Sequence, residues 1–177
     1  MLNFYILSNL INIIWLLLII NCLFSVITDI FDQAILSVVQ QDGRITNQNL
    51  AKQVNLSTAP CWRRLNKLEN QGIIEGYVAL LNRERLGLSV MVYIHVSLHD
   101  HNADTVGIFD RFVEDSTNIL ECYSVSGEYD YLIRVIAEDV TALEFFLMKK
   151  LLKLKAVRSA NTSFVLKQKK YTTALPV

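Results

Sequence analysis

No lysine or arginine precedes Arg44 in this 177-residue chain. Nothing therefore supplies the basic n-region of a signal peptide or the positive flank that orients a membrane anchor. Cysteine is scarce: Cys22, Cys61 and Cys122 lie far apart, an odd number with no CxxC pair. That argues against a disulfide framework and a zinc site, and it fits a reducing compartment. Net charge is missing as well, since 17 basic and 17 acidic residues cancel. Their distribution is uneven. Residues 1–43 hold three acids and no base, 44–70 hold five bases against Glu69 alone, and 71–177 hold twelve bases and thirteen acids. One basic island thus stands at 44–70. Also lacking are a glycine loop of the phosphate-cradling kind and a nucleophile paired with a base, so no catalytic residue or cofactor is expected and the chain is not read as an enzyme. His95, His99 and His101, with Asp100 and Asp104, come nearest to a metal set. His95 and His99 would share a strand face while His101 falls in the following turn, so no metal site is expected.

What the chain has in abundance at its start is hydrocarbon. From Leu10 to Ile27 only Asn12, Asn21 and Ser25 are polar, enough to span a bilayer core of roughly 30 Å. Leu, Ile and Asn make up 18 of residues 1–28, a bias that translated AT-rich upstream DNA would also produce. Residues 1–28 are expected to be an appendage, either a start-site artefact or a membrane anchor. No Met lies between residues 1 and 91, so a shorter product needs a non-AUG start, for instance at Leu23 or Val26.

Beyond it the patterning is helical. Phe31, Ile35, Val38 and Val39 recur at i, i+4, i+7 and i+8, and Gly43 stops that helix. Thr46 is an N-cap candidate for a short helix carrying Leu50, Ala51 and Val54 and ending at Asn55. Ser57 caps a third helix with Pro60 in its first turn. Its buried stripe is Cys61, Leu65 and Leu68, while Arg63, Arg64 and Lys67 project elsewhere until Gly72 ends it. Two short helices about a three- to four-residue turn, the second basic, make a helix-turn-helix pattern. The basic island coincides with the third helix, which points to DNA rather than to a plain three-helix bundle. "IIEGYVALLN" reads as a strand leaving this unit, with "RERLGLS" as a connector.

The second half alternates. "SVMVYIHVSL" is a strand, "ADTVGIFDRFVEDS" a helix with Ile108, Phe109, Phe112 and Val113 inward, and "ILECYSVSGEYDYLIRVIA" two strands about a "SGEYD" turn. "DVTALEFFLMKKLLKL" is a helix burying Leu143, Phe146, Leu147, Leu151 and Leu154, and "VRSANTSFVLKQKK" a last strand. The order β-α-β-β-α-β is ferredoxin-like. One sheet face carries both helices; the other, rich in Val, Ile and Tyr, would be an oversized apolar patch unless a second copy covered it, so at least a dimer is expected.

"DIFDQAIL", "QDGRITNQNLAKQVNLS", "PCWRRLNKLENQGIIEGYVALLN" and "CYSVSGEYDYLIRV" closely resemble the Lrp/AsnC (leucine-responsive, feast/famine) transcription regulators, from about Asp29 to the end of the chain. The resemblance implies an α+β protein: a winged-type helix-turn-helix at 29–72, a strand linker at 73–87, and a ferredoxin-like effector-binding and oligomerisation domain at 88–177. It implies double-stranded DNA and a small amino-acid effector of unknown identity as partners, and a homodimer that assembles further, to an octamer or a related ring. Carried over by position, Ser57, Thr58, Arg63, Arg64 and Lys67 are the DNA contacts of the recognition helix. Arg suits bidentate contact with guanine, and Lys or Ser contact with phosphate. Thr46 and Asn47 would offer backbone N–H groups to a phosphate. Trp62 is either a further exposed residue or packed between helices. Ser126, Gly127, Glu128, Tyr129 and Asp130 match the family's Gly-x-x-Asp effector loop, in which Gly permits close approach and the carboxylate pairs with an amino group; a plain hairpin turn would satisfy the same letters. The implied function is cytoplasmic transcription regulation, the alternative a sensor anchored through residues 10–27.

Overall fold

A computed structural model describes residues 29–177, which divide into two units, one of residues 29–79 with 172–177 and one of residues 80–171. The apolar extension, 1–28, lies outside the described residues. Among the described residues no helix is long and apolar enough to cross a membrane.

The first unit opens with α1, Ile30–Val39, because Asp29 at its N-cap accepts the N–H groups of Phe31 (3.0 Å) and Asp32 (2.9 Å). Ile35 and Val39 are buried as expected, but Leu36 and Asp32 are buried too, while Phe31 and Val38 are only half-buried. α2, Asn47–Gln53, is capped by Thr46, whose Oγ1 accepts the Asn49 N–H at 3.3 Å. Leu50, Ala51 and Val54 are buried, the stripe read from the sequence. Asn55 then takes φ 56°, a left-handed conformation that asparagine tolerates better than most residues. That sharp turn redirects the chain into α3, Thr58–Asn70. α3 ends at Gly72, φ 69°, with Ile73 N–H donating to Leu68 O (3.0 Å) and Gly72 N–H to Glu69 O (2.9 Å). This is the paired hydrogen-bond pattern that left-handed glycine caps provide. Ile35, Leu50, Cys61 and Leu68, all at the centre, close the three-helix core.

Residues 73–87, expected as a strand linker, form no strand. Strand backbone must pair with a neighbour, and among the described residues none lies alongside it. The division between units falls at 79/80 rather than at 87/88, and residues 172–177 join the first unit. There the Gln40 carboxamide donates to Leu175 O (3.2 Å) and accepts from Leu175 N–H (2.5 Å).

In the second unit β1 (Val90–Leu98), α4 (Ala103–Asp115), β2 (Ile119–Ser124), β3 (Tyr131–Ala137), α5 (Val140–Phe145) and β4 (Val157–Phe164) follow in the expected order. The four-stranded sheet runs β2-β3-β1-β4, every pair antiparallel. α5 is shorter than its apolar pattern suggests: it passes into a π turn at Phe146–Lys150 and a 3-10 turn at Leu151–Lys153. Phe146 and Leu151, five residues apart, are both buried by this widened turn. Val92, Ile94, Val96, Leu98, Ile133 and Val135 face the helices with Phe109, Leu143 and Phe146. The last strand stops at Phe164 rather than running through Lys170.

The sheet face away from the helices departs from expectation. The Val and Ile of β1 and β3 mostly point into the core, and alternation leaves Met91, Tyr93, His95, Leu132, Arg134 and Ile136 on the other side. Arg134 pairs there with Glu121 at 2.7 Å, and Met91 and Ile136 are already buried. The face is mixed rather than a continuous apolar patch.

Candidate functional site

α3 is amphipathic about its own axis, and its inner side fixes what the outer side presents. Cys61 and Leu68 are buried, Leu65 is half-buried, and Thr58, Ala59, Trp62, Arg63 and Lys67 are exposed. Burial also raises the Cys61 thiol above its ordinary range, so the only cysteine of this helix is a core group rather than a nucleophile.

The two adjacent arginines face different ways. Arg63 is exposed. Arg64 turns inward: its Nη1 lies 2.7 Å from Asp29 Oδ2 and 2.7 Å from Asp32 Oδ1, and the guanidinium sits 5.4 Å from the Phe31 ring centre. Asp32 is only 1% exposed, and a buried carboxylate needs such a partner. Lys67 Nζ, half-exposed, is 3.7 Å from the second oxygen of Asp32. The hydrogen bonds it donates to Asp32 and then to Asp29 hold the Arg64 guanidinium even more firmly protonated than usual. Asp29 is held below its ordinary value, chiefly by the Asp32 N–H it accepts and then by Arg64. Arg64, assigned from the sequence to DNA, is thus committed to fastening α3 onto α1. Asp32 is the partner that the sequence reading missed. The spacing of Asp32 to Ile35, Leu36 and Val39 places it on the core-facing side of α1, but the partner it meets there lies 32 residues away.

The start of α3 is fixed by α2. Asn47 Nδ2 donates to Thr58 O at 3.1 Å, so this side chain clamps the turn between the two helices. Its Oδ1 is buried without a partner among the described residues. The Thr46 hydroxyl is engaged in capping α2. Ser57 occupies the N-cap of α3 but makes no side-chain capping bond, leaving its exposed hydroxyl able to meet a phosphate. Trp62 is 55% exposed, which removes the alternative of an indole packed between helices. Asn66, half-buried on the same side as Ala59 and Trp62, was not singled out by the sequence reading.

Tyr77 braces the same unit. Its hydroxyl donates to Glu69 Oε1 at 2.9 Å, and burial, reinforced by Glu69, pushes the phenol up to about 12. A Cβ on Gly43 would meet the Tyr77 ring at 3.0 Å, so a larger residue there would have to push the ring aside by a few tenths of an ångström.

In the second unit the loop Ser126–Asp130 joins β2 to β3. Gly127 takes φ 129°, a conformation that side chains resist. Ser126, Gly127 and Glu128 are exposed. Tyr129 packs beside His95, ring centres 4.9 Å apart, with Asn161 Nδ2 donating to its hydroxyl at 3.4 Å. Asp130 is more constrained than expected of a group awaiting an ammonium. Its Oδ2 accepts the Leu98 N–H at 2.7 Å, its Oδ1 lies 2.9 Å from His101 Nε2, and its N–H donates to Val96 O at 3.0 Å. The Leu98 N–H, then His101, hold its carboxyl below the ordinary value. The carboxylate thereby anchors the loop to the end of β1, and the backbone around Gly127 is what stands open. His101 finds its role here, as the partner of Asp130.

Comparison with known proteins bears on both units. Residues 28–75 match the family model for a winged helix-turn-helix DNA-binding domain, and residues 91–175 match that for the Lrp/AsnC ligand-binding domain. The DNA-binding transcriptional activator DecR of Escherichia coli K12 is 36% identical over 149 residues, 84% of this chain and 98% of that protein. The leucine-responsive regulatory protein of the same organism is 38% identical over 149 residues, 84% of this chain and 91% of its own length. A transcriptional regulator of Neisseria meningitidis, solved as its L-Met complex, superposes with a TM-score of 0.82 at 40% identity, covering 84% of this chain and 96% of that one.

Proposed function

We propose, from the premise that this chain belongs to the Lrp/AsnC family of DNA-binding transcriptional regulators, that it couples a cytoplasmic amino-acid signal to sequence-specific DNA reading. The exposed outer side of α3 carries the reading. Arg63 contacts a base edge, while Ser57, Thr58 and Lys67 position the helix on phosphates. Arg64, with Asp32 and Asp29, sets the angle at which α3 leaves the core, and Thr46 and Asn47 hold the turn before it.

The effector is an amino acid with an apolar side chain. In support, one relative is leucine-responsive by name and one solved neighbour holds L-Met. Residues Ser126–Asp130 frame its site, with Asp130 shaping the loop and the backbone about Gly127 approaching the ligand.

The working form is a homodimer that assembles further, as an octamer or a related ring. Two features support it. The extended backbone of 75–81 makes no hydrogen bond to another strand among the described residues, and the Arg134 Nε is buried without an acceptor on the helix-free sheet face. A dimer places two copies of α3 on successive major-groove faces, about 34 Å apart. The amino acid acts by binding one assembly state better than another.

Fluorescence anisotropy of the purified full chain with duplexes selected from a randomised pool tests the reading. Affinity is expected to fall steeply with salt and to change on addition of L-methionine or L-leucine. Failure to enrich any sequence would overturn the DNA assignment. Enrichment indifferent to every amino acid would overturn only the effector assignment.

A further inference from the structure

The outer side of α3 holds two residues to which no role has yet been given. At about 100° per residue, Ala59, Trp62 and Asn66 fall within one narrow arc, opposite Cys61 and Leu68, with Arg63 beside them. Trp62, 55% exposed, is the largest apolar surface there. The bases flank this arc rather than cover it: Arg63 is on one side, Lys67 is drawn toward Asp32 at 3.7 Å, and Arg64 is turned away. The part of the helix that would lie deepest in a major groove is therefore an indole and a carboxamide, not a cation.

We infer that Trp62 and Asn66 are specificity-determining residues that read an A·T pair or step: the indole edge of Trp62 packs on a thymine C5-methyl, and the Asn66 carboxamide pairs with adenine. Thymine is the one base that presents a methyl group in the major groove, and Asn matches the N6/N7 pattern of adenine bidentately. Residues at i and i+4 stand about 5–6 Å apart on a helix surface, within reach of the same or neighbouring base pairs. Ala59, one turn before, is small enough to let the indole approach the base. Arg63 then places a guanine next to this A·T element. The inference rests on α3 being the DNA-reading helix, and it adds which bases that helix prefers and why.

The test uses the full chain and duplexes selected from a randomised pool. Uracil replaces thymine one position at a time, which deletes only the methyl. At one position per half-site this is expected to weaken the native protein about fourfold, the effect of one buried methyl group, and to leave Trp62→Ala unaffected. Trp62→Phe should retain part of the discrimination. Asn66→Ala should lose preference for a single adenine by about tenfold, while both variants keep the native melting temperature and the native mass by light scattering. The inference is overturned if Trp62→Ala enriches the same sequences and responds to uracil as the native chain does. It is equally overturned if Trp62→Ala changes the oligomer, since the indole would then be a contact between copies. A native chain that enriches no sequence would instead remove the DNA reading on which the inference stands.

Discussion

Replacing Arg63 and Arg64 by alanine, one at a time, should separate recognition from stability. Arg64→Ala removes two 2.7 Å contacts. The one to Asp29 is half-exposed, screened by solvent, and contributes little. The one to Asp32 matters more, because that carboxylate is 1% exposed and is left with only Lys67 at 3.7 Å. Breaking a fully buried pair from one side costs about 3–5 kcal/mol. Arg64 is itself 31% exposed, and Lys67 partly compensates, so about 2–3 kcal/mol is the better figure. For a unit of this size that lowers the melting temperature of the helix-turn-helix by about 10–20 °C. Arg63→Ala should change stability by less than about 0.5 kcal/mol and weaken DNA binding by about 1–3 kcal/mol. Thermal and urea unfolding followed by circular dichroism, with anisotropy titrations below each variant's melting point, measure both. Equal losses of DNA affinity with unchanged melting in both variants would refute the inward assignment of Arg64.

Gly127→Ala, placing a side chain at φ 129°, should cost about 1–3 kcal/mol locally. It should abolish the thermal shift given by L-methionine while leaving ligand-free DNA binding intact; a retained shift would remove the loop from the effector site. Because the native carboxyls of Asp29 and Asp130 titrate below their unfolded values, the stability they confer is full above about pH 4. It is lost as pH falls through the native values, where the unfolded chain binds more protons. Asp130→Asn should therefore flatten the acid limb by up to one proton, about 1.4 kcal/mol per pH unit, and an unchanged slope from urea melts at each pH would contradict the Leu98 and His101 contacts. An absorbance titration at 295 nm should show the Tyr77 phenol, raised to about 12, deprotonating well above the ordinary tyrosine range. Glu69→Gln should lower its midpoint.

Much of the fold was legible because local signals and burial agreed. Leu50, Ala51 and Val54 lie on one face of a helix with a threonine cap and a left-handed asparagine after it. Gly72 ends α3 where a left-handed residue is needed. The βαββαβ order was readable from alternating periods alone. What escaped notice depends on partners distant in sequence. Nothing in the letters around Asp32 announces that Arg64, 32 residues later, would draw a carboxylate into the core in place of an apolar residue. The π turn after α5 exchanges helical regularity for the burial of both Phe146 and Leu151, a tertiary decision. The strand expected at 73–87 failed for a different reason, since extended backbone is a strand only where another backbone receives its hydrogen bonds. In the effector loop the glycine was visible. The prior engagement of Asp130 was not, because Leu98 and His101 reach it from across the sheet.

The charge pattern that first suggested DNA gains a different meaning from these contacts. Within residues 29–72 five bases face four acids, Asp29, Asp32, Asp42 and Glu69, so a single helix-turn-helix carries a net charge of only about one. Two of the five bases, Arg64 and Lys67, lie against Asp32, and Arg64 Nη1 also meets Asp29. Non-specific attraction grows with the number of phosphates neutralised, and one unit with so few available cations neutralises few. On the proposed reading, useful affinity then requires two such units on one duplex, together with base contacts that do not depend on net charge. The same compromise that lowers the cationic charge of α3 holds the helix rigidly on α1. Rigid placement is what allows contacts such as those of Arg63, Trp62 and Asn66 to discriminate between bases, because a misplaced donor gains nothing from the correct base.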